Sequence, residues 1–136
     1  MNKSAVIRAL ALTVLASLLG SAPAQTMEQK LSAETRIEIQ EAAAFTDGFV
    51  IPCPDVFNPS DFHVVCVDTS ETGWNAAQLR DWSGYGLSHW RVFSAWTRED
   101  GYWMQTLVNF AREEMLIIFV MSDASKVVYF ASSLAE

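Results

Sequence analysis

The side chains of this 136-residue chain whose types and spacing invite chemistry are two cysteines, two histidines and three carboxylate clusters. Cys53, His63 and Cys66 carry ligand atoms that zinc accepts, but a structural site wants four convergent ligands and the sequence shows no fourth. If residues 62–68 form a strand, positions 63 and 66 also point to opposite faces. The two cysteines are therefore expected to form a disulfide, which for a loop of this size is worth roughly 3 kcal/mol in the chain-entropy account.

Neither His63 nor His89 stands in an H-E-x-x-H or H-x-E pattern, so both read as strand residues. Ser83 in Trp82-Ser83-Gly84-Tyr85-Gly86 lacks the G-x-S-x-G order and the preceding strand of a nucleophile elbow. The carboxylates cluster at Asp68/Glu71, Glu99/Asp100 and Glu113/Glu114, all in expected turns or caps, where solvated charge is the ordinary finding. An up-and-down meander would gather Glu99, Asp100 and Asp123 at one end of a sheet, and Arg112, Glu113 and Glu114 at the other with Gly84-Tyr85-Gly86. A hard cation takes several such oxygens, yet no EF-hand-like spacing is present. Glycoside chemistry needs two carboxylates facing each other across a cleft, which hairpin tips do not build. The sequence thus assigns no catalytic residue, no metal and no cofactor.

The address is more legible. Lys3 and Arg8, an apolar run over 9–19 and then Ala22-Pro23-Ala24 predict a secretory signal peptide cut after Ala24, its apolar run too short to span a bilayer. The expectation is a secreted or periplasmic protein with one domain over residues 25–136 and no transmembrane segment after cleavage. Cleavage would remove two of the nine basic residues and none of the sixteen acidic ones, taking the net charge from −7 to −9. Such a chain repels phosphate backbones, so nucleic acid is excluded as a partner.

Residues 89–132 organise the fold, with four runs rich in Val, Ile, Phe, Tyr and Trp separated by three short polar breaks, the pattern of strands joined by hairpins. Strands are expected over 89–97, 102–111, 115–121 and 126–132, with Asp100-Gly101 supplying a hairpin turn. The unbroken apolar run at 115–121 predicts a central strand. Residues 62–68 give a fifth strand, and Pro52, Pro54 and Pro59 make 49–60 an ordered loop. Thr26 and Gln29 fit a capping box ahead of a helix over 27–45, with a short strand at 37–39 as the competing reading. A second helix over 74–83 shares Ala76, Leu79 and Trp82 on one face. The fold class is α+β: a mainly antiparallel sheet of four to five strands with a long N-terminal helix and a short second helix packed on it.

Tight hairpins would set Trp96 opposite Trp103, Val108 opposite Ile117 and Val120 opposite Tyr129. Alternation then gives one almost wholly apolar face, including Met104, Ile117, Phe119 and Phe130, for the long helix to cover. The other face is mixed, carries Trp90, Trp96 and Trp103, and has the short helix and the proline loop to shield it; either these cover the tryptophans completely or part of the face is an exposed aromatic patch. That aromatic face is the candidate surface for a protein or small ligand. The functional expectation is a non-enzymatic binding module of the envelope or extracellular space, with a small secreted hydrolase of unrecognised site as the alternative and a homodimer through the aromatic face as a third reading.

Overall fold

The structure, a computed structural model, describes residues 31–55 and 62–134. The expected leader, its cleavage point, the Thr26 capping box and residues 56–60 of the proline loop lie outside the described residues. Two helices, α1 (Ala33–Ala44) and α2 (Ala76–Ser83), accompany six strands: β1 (Phe49–Ile51), β2 (His63–Asp68), β3 (Arg91–Glu99), β4 (Tyr102–Asn109), β5 (Glu114–Met121) and β6 (Lys126–Ser133). The strands form one sheet in the order β1-β2-β6-β5-β4-β3, and every pairing is antiparallel.

The α+β class and the meander stand as expected, and β5 is indeed flanked on both sides, by β4 and β6. Three details are corrected. The sheet has six strands because Phe49–Ile51, read as loop, pairs with β2 in the register Phe49 opposite Asp68. Three residues fit between Gly48, at the end of the turn that follows α1, and Pro52, whose missing N–H ends the ladder, and an edge strand tolerates such brevity. The first helix is not long: it spans twelve residues from its N-cap, Ser32, whose side chain accepts the Thr35 amide proton. The third correction concerns α2. It begins after Asn75, which forms a capping box with Gln78, so its buried positions are Leu79 and Ser83 while Trp82 faces outward.

The hairpin registers differ from expectation by two residues each: Trp103 pairs with Arg98, Val108 with Met115 and Val120 with Val127. A slip of two preserves which face a side chain occupies, so the sorting of β4, β5 and β6 survives. In β3, bulges between Val92 and Ser94 and between Ser94 and Thr97 break the alternation and turn Ser94 to the side of Thr106.

The first helix lies on the other face from the one expected, while the second lies on the mixed face. Both helices cover the mixed face, where Ile39, Ala42 and Ala43 of α1 and Leu79 of α2 pack with Val65, Val67, Leu107, Leu116, Ile118, Val120, Val127 and Tyr129. The opposite, more apolar face holds a smaller cluster of Met104, Met115 and Ile117 with Tyr102, Phe119 and Phe130, to which neither helix contributes. Polar tips explain the choice. The buried Tyr129 hydroxyl donates to the Ser83 carbonyl at 2.7 Å, and the Trp90 indole N–H donates to Glu38 at 3.2 Å. A buried Tyr or Trp needs such a partner, and on this face the helices supply it.

Candidate functional site

The apolar contribution of α1 is small: its buried residues are Thr35, Ile39, Ala42 and Ala43. A polar clamp at its first turns adds what the apolar stripe lacks. Glu114 opens β5 and is 1% exposed. Its carboxylate accepts the Ser32 amide at 2.6 Å, lies 3.2 Å from the Ser32 hydroxyl and accepts the Thr35 hydroxyl proton. An anion at a helix N-terminus meets unsatisfied amides and the positive end of the dipole.

Arg112, in the turn before β5, completes the clamp. It donates to Thr35 Oγ1 at 3.0 Å, to Glu38 at 2.6 and 3.3 Å and to Glu34 at 3.1 Å. Burial alone would raise the Glu38 carboxyl, but hydrogen bonds from Arg112 and Trp90 and the charges of Arg112 and His89 outweigh it, holding the group below the usual carboxylate range. His89 Nε2 lies 2.8 Å from Glu38. The pair joins a partly exposed imidazole in the segment before β3 to a carboxylate of α1. Its geometry is that of a tether between α1 and the segment entering β3.

The residues singled out from sequence fall in different places. Cys53 and Cys66 form the expected disulfide, with Cα atoms 5.3 Å apart. His63 and Cys66 occupy opposite faces of β2, as their spacing required, and among the described residues no three His, Cys, Asp or Glu side chains gather as a metal-ligand set. The two turns carrying Asp100 and Asp123 do meet at one end, where the Ser122 amide donates to the Gly101 carbonyl. Trp90 is buried in the larger core cluster, while Trp96 and Trp103 are half-buried against it. The Arg80 guanidinium lies 4.0 Å above the Trp103 ring. The ring contacts of the described residues do not join these three tryptophans to one another.

A different set of rings is joined. Phe45, just past α1, stacks on Tyr85 at 3.6 Å between centroids; Tyr85 meets Trp82 at 6.4 Å, and Trp82 meets Trp74 at 6.2 Å. Phe45, Tyr85 and Trp82 are 43%, 49% and 39% exposed, so the row lies on the surface of the helix layer. Two sequence features carried it unread: an aromatic residue immediately beyond a helix end, and Trp82 and Tyr85 three apart at the end of α2. Placing Trp82 on the buried face of that helix concealed the row.

Next to the row is an open cleft of about 250 Å³ lined by Asp47, Phe49, Asp68, Glu71 and Thr72. Gly48 brings its walls together, since a Cβ there would sit 2.6 Å from the Asp68 carbonyl and 2.7 Å from Val67. The Ser70 hydroxyl and amide beside Asp68 hold its carboxyl below the ordinary range, so it is ionised at neutral pH. Aromatic faces beside fixed negative charge attract cations and stack on planar groups.

The fold and site define a small disulfide-bonded α+β domain with a six-stranded antiparallel sheet, a helix layer on one side and an aromatic row on that layer. No family model, curated protein or solved structure matches the chain.

Proposed function

We propose that this protein is an exported, non-enzymatic binding module of the cell envelope or extracellular space that engages its partner through an exposed aromatic surface. The observation that carries the reading is the row Phe45, Tyr85, Trp82 and Trp74, four rings in successive contact with three of them more than a third exposed. Contiguous exposed aromatic area on a small domain marks an interaction site, because leaving it in water costs free energy that a partner recovers. The leader-like N-terminal sequence and the Cys53–Cys66 disulfide support an oxidising compartment. Among the described residues no helix is long and apolar enough to cross a membrane.

The test is partner capture from the native cell envelope by the mature domain, compared with a Trp82→Ser/Tyr85→Ser variant. The expected result is loss of the captured partner with an unchanged circular dichroism spectrum. A parallel Trp96→Ser/Trp103→Ser variant probes the sheet-side tryptophans. Capture that survives the first variant and disappears in a folded second one moves the surface to the sheet.

A further inference from the structure

The aromatic row and the acidic cleft share a residue. Asp47 lines the cleft, and its carboxylate accepts the indole N–H of Trp74, the last ring of the row, at 3.4 Å. The surroundings are poor in positive charge: residues 45–55 and 68–79 contain no Lys or Arg. Helix α1 has no basic residue in its last turn, so its negative end is left uncompensated beside Phe45. Arg80, the basic residue of α2, is committed to the Trp103 ring. Lys126 faces Asp68 across the β2–β6 pair and offsets part of the cleft's charge. The carboxylates do not converge as metal ligands; they stand around Phe49, an apolar ring that is 68% exposed.

Resting on the aromatic-surface reading above, we infer that the row and cleft together dock an extended, arginine-bearing segment of a partner protein. Guanidinium is planar and weakly hydrated, stacks on aromatic faces and presents a fork of donors to carboxylates, so one side chain type matches both halves of the surface. The chain already makes this pairing internally, with Arg80 over Trp103. From Phe45 to Trp74 the rings trace a path of roughly 16 Å, the reach of about five residues of extended chain and more than one small cation fills. An acidic segment would meet Asp47, Asp68 and Glu71 with like charge.

The experiment titrates the mature protein with the peptide Gly-Arg-Gly-Arg-Gly-Arg-Gly and its Lys and Glu analogues, read by tryptophan fluorescence and calorimetry. Saturable binding is expected for the arginine peptide, weaker binding for the lysine peptide and none for the glutamate peptide. Trp82→Ser/Tyr85→Ser and Asp47→Asn/Glu71→Gln should each weaken the arginine peptide about ten-fold. Glu99→Gln/Asp100→Asn removes the same charge at the β3–β4 turn and should change it less than about two-fold. Equal weakening by that distant pair would show general attraction to an acidic protein and overturn the inference, as would absence of saturable binding. If the arginine peptide fails while envelope capture is still lost in the Trp82→Ser/Tyr85→Ser variant, the aromatic surface stands and only its arginine ligand falls; if capture also survives that variant, both fall.

Discussion

The Glu114 carboxylate, at the first residue of β5, accepts the backbone amide proton of Ser32, the N-cap of α1, across 82 residues of chain. A helix terminus is thus capped twice, by its own Ser32 side chain and by a strand on the far side of the sequence. The same carboxylate receives the Thr35 hydroxyl. Replacing Glu114 with Gln keeps the shape and removes the charge that the helix dipole and Arg112 favour. It should cost about 1–3 kcal/mol. Urea unfolding would show a lowered midpoint with an unchanged slope; an unchanged midpoint would mean that the cap is energetically idle.

Glu38 sets an acid limit. Its carboxyl is held below the ordinary range in the folded state, so on acidification the unfolded chain takes up the proton first. The stabilisation is complete above the ordinary glutamate value, about 4.3, and is lost as pH falls through the depressed folded value. The groups facing this carboxylate are Arg112, His89, Trp90 and, through Arg112, Glu34. Glu38→Gln should therefore be less stable than the native chain near pH 7, with the gap narrowing as pH falls below the ordinary glutamate value. Parallel stability curves for the two proteins across that range would contradict this.

Tyr129 ties the centre of the sheet to the end of α2. Burial pushes its phenol far up from the usual range, and it remains a neutral donor to the Ser83 carbonyl. Tyr129→Phe fills the same space but leaves that carbonyl unpaired in a buried setting, at a cost of about 1–3 kcal/mol. Because Ser83 directly follows Trp82, the loosened helix end should also raise acrylamide quenching of tryptophan fluorescence. A variant as stable as the native chain would indicate that the carbonyl finds another donor.

Much of this fold was legible because β4, β5 and β6 alternate cleanly, and a two-residue error in every hairpin leaves their faces intact. Which face receives the helices was not legible from hydrophobicity: the more apolar side, with Met104, Ile117 and Phe130, is not the helix-covered one. The deciding partners, Ser83 for Tyr129 and Glu38 for Trp90, lie 46 and 52 residues away from the rings they satisfy. The Glu114 cap and the aromatic row depend on similarly distant meetings. The disulfide needed only compartment and count, and for that reason could be read in advance.

That disulfide holds a segment with little else to order it. β1 is three residues long, at the edge of the sheet, with Phe49 and Val50 exposed, and Cys53 follows it after Pro52 while Cys66 is wholly buried in β2. Cys53→Ala/Cys66→Ala should lower stability by roughly 3 kcal/mol. Amide exchange should rise most at Phe49–Ile51, before the rest of the sheet responds. Uniform exchange across all six strands would show instead that β1 belongs to the same cooperative unit as the meander.

Gly48 connects the stability of that edge to the cleft. Its backbone passes so close to β2 that an added Cβ would meet the Asp68 carbonyl at 2.6 Å, Val67 at 2.7 Å and Thr69 at 2.9 Å. Backbone cannot retreat as a flexible side chain can, so Gly48→Ala must push β1 away from β2. The expected cost is about 1–3 kcal/mol, the range for an overpacked site. The displacement moves Asp47 and Phe49, the residues on either side, away from Asp68 and Glu71, and so opens the cleft that the arginine-bearing segment is proposed to enter. Peptide binding should weaken in this variant even under conditions where it remains fully folded. If binding were unchanged in a folded Gly48→Ala protein, the carboxylates of the cleft would not be acting as a positioned set.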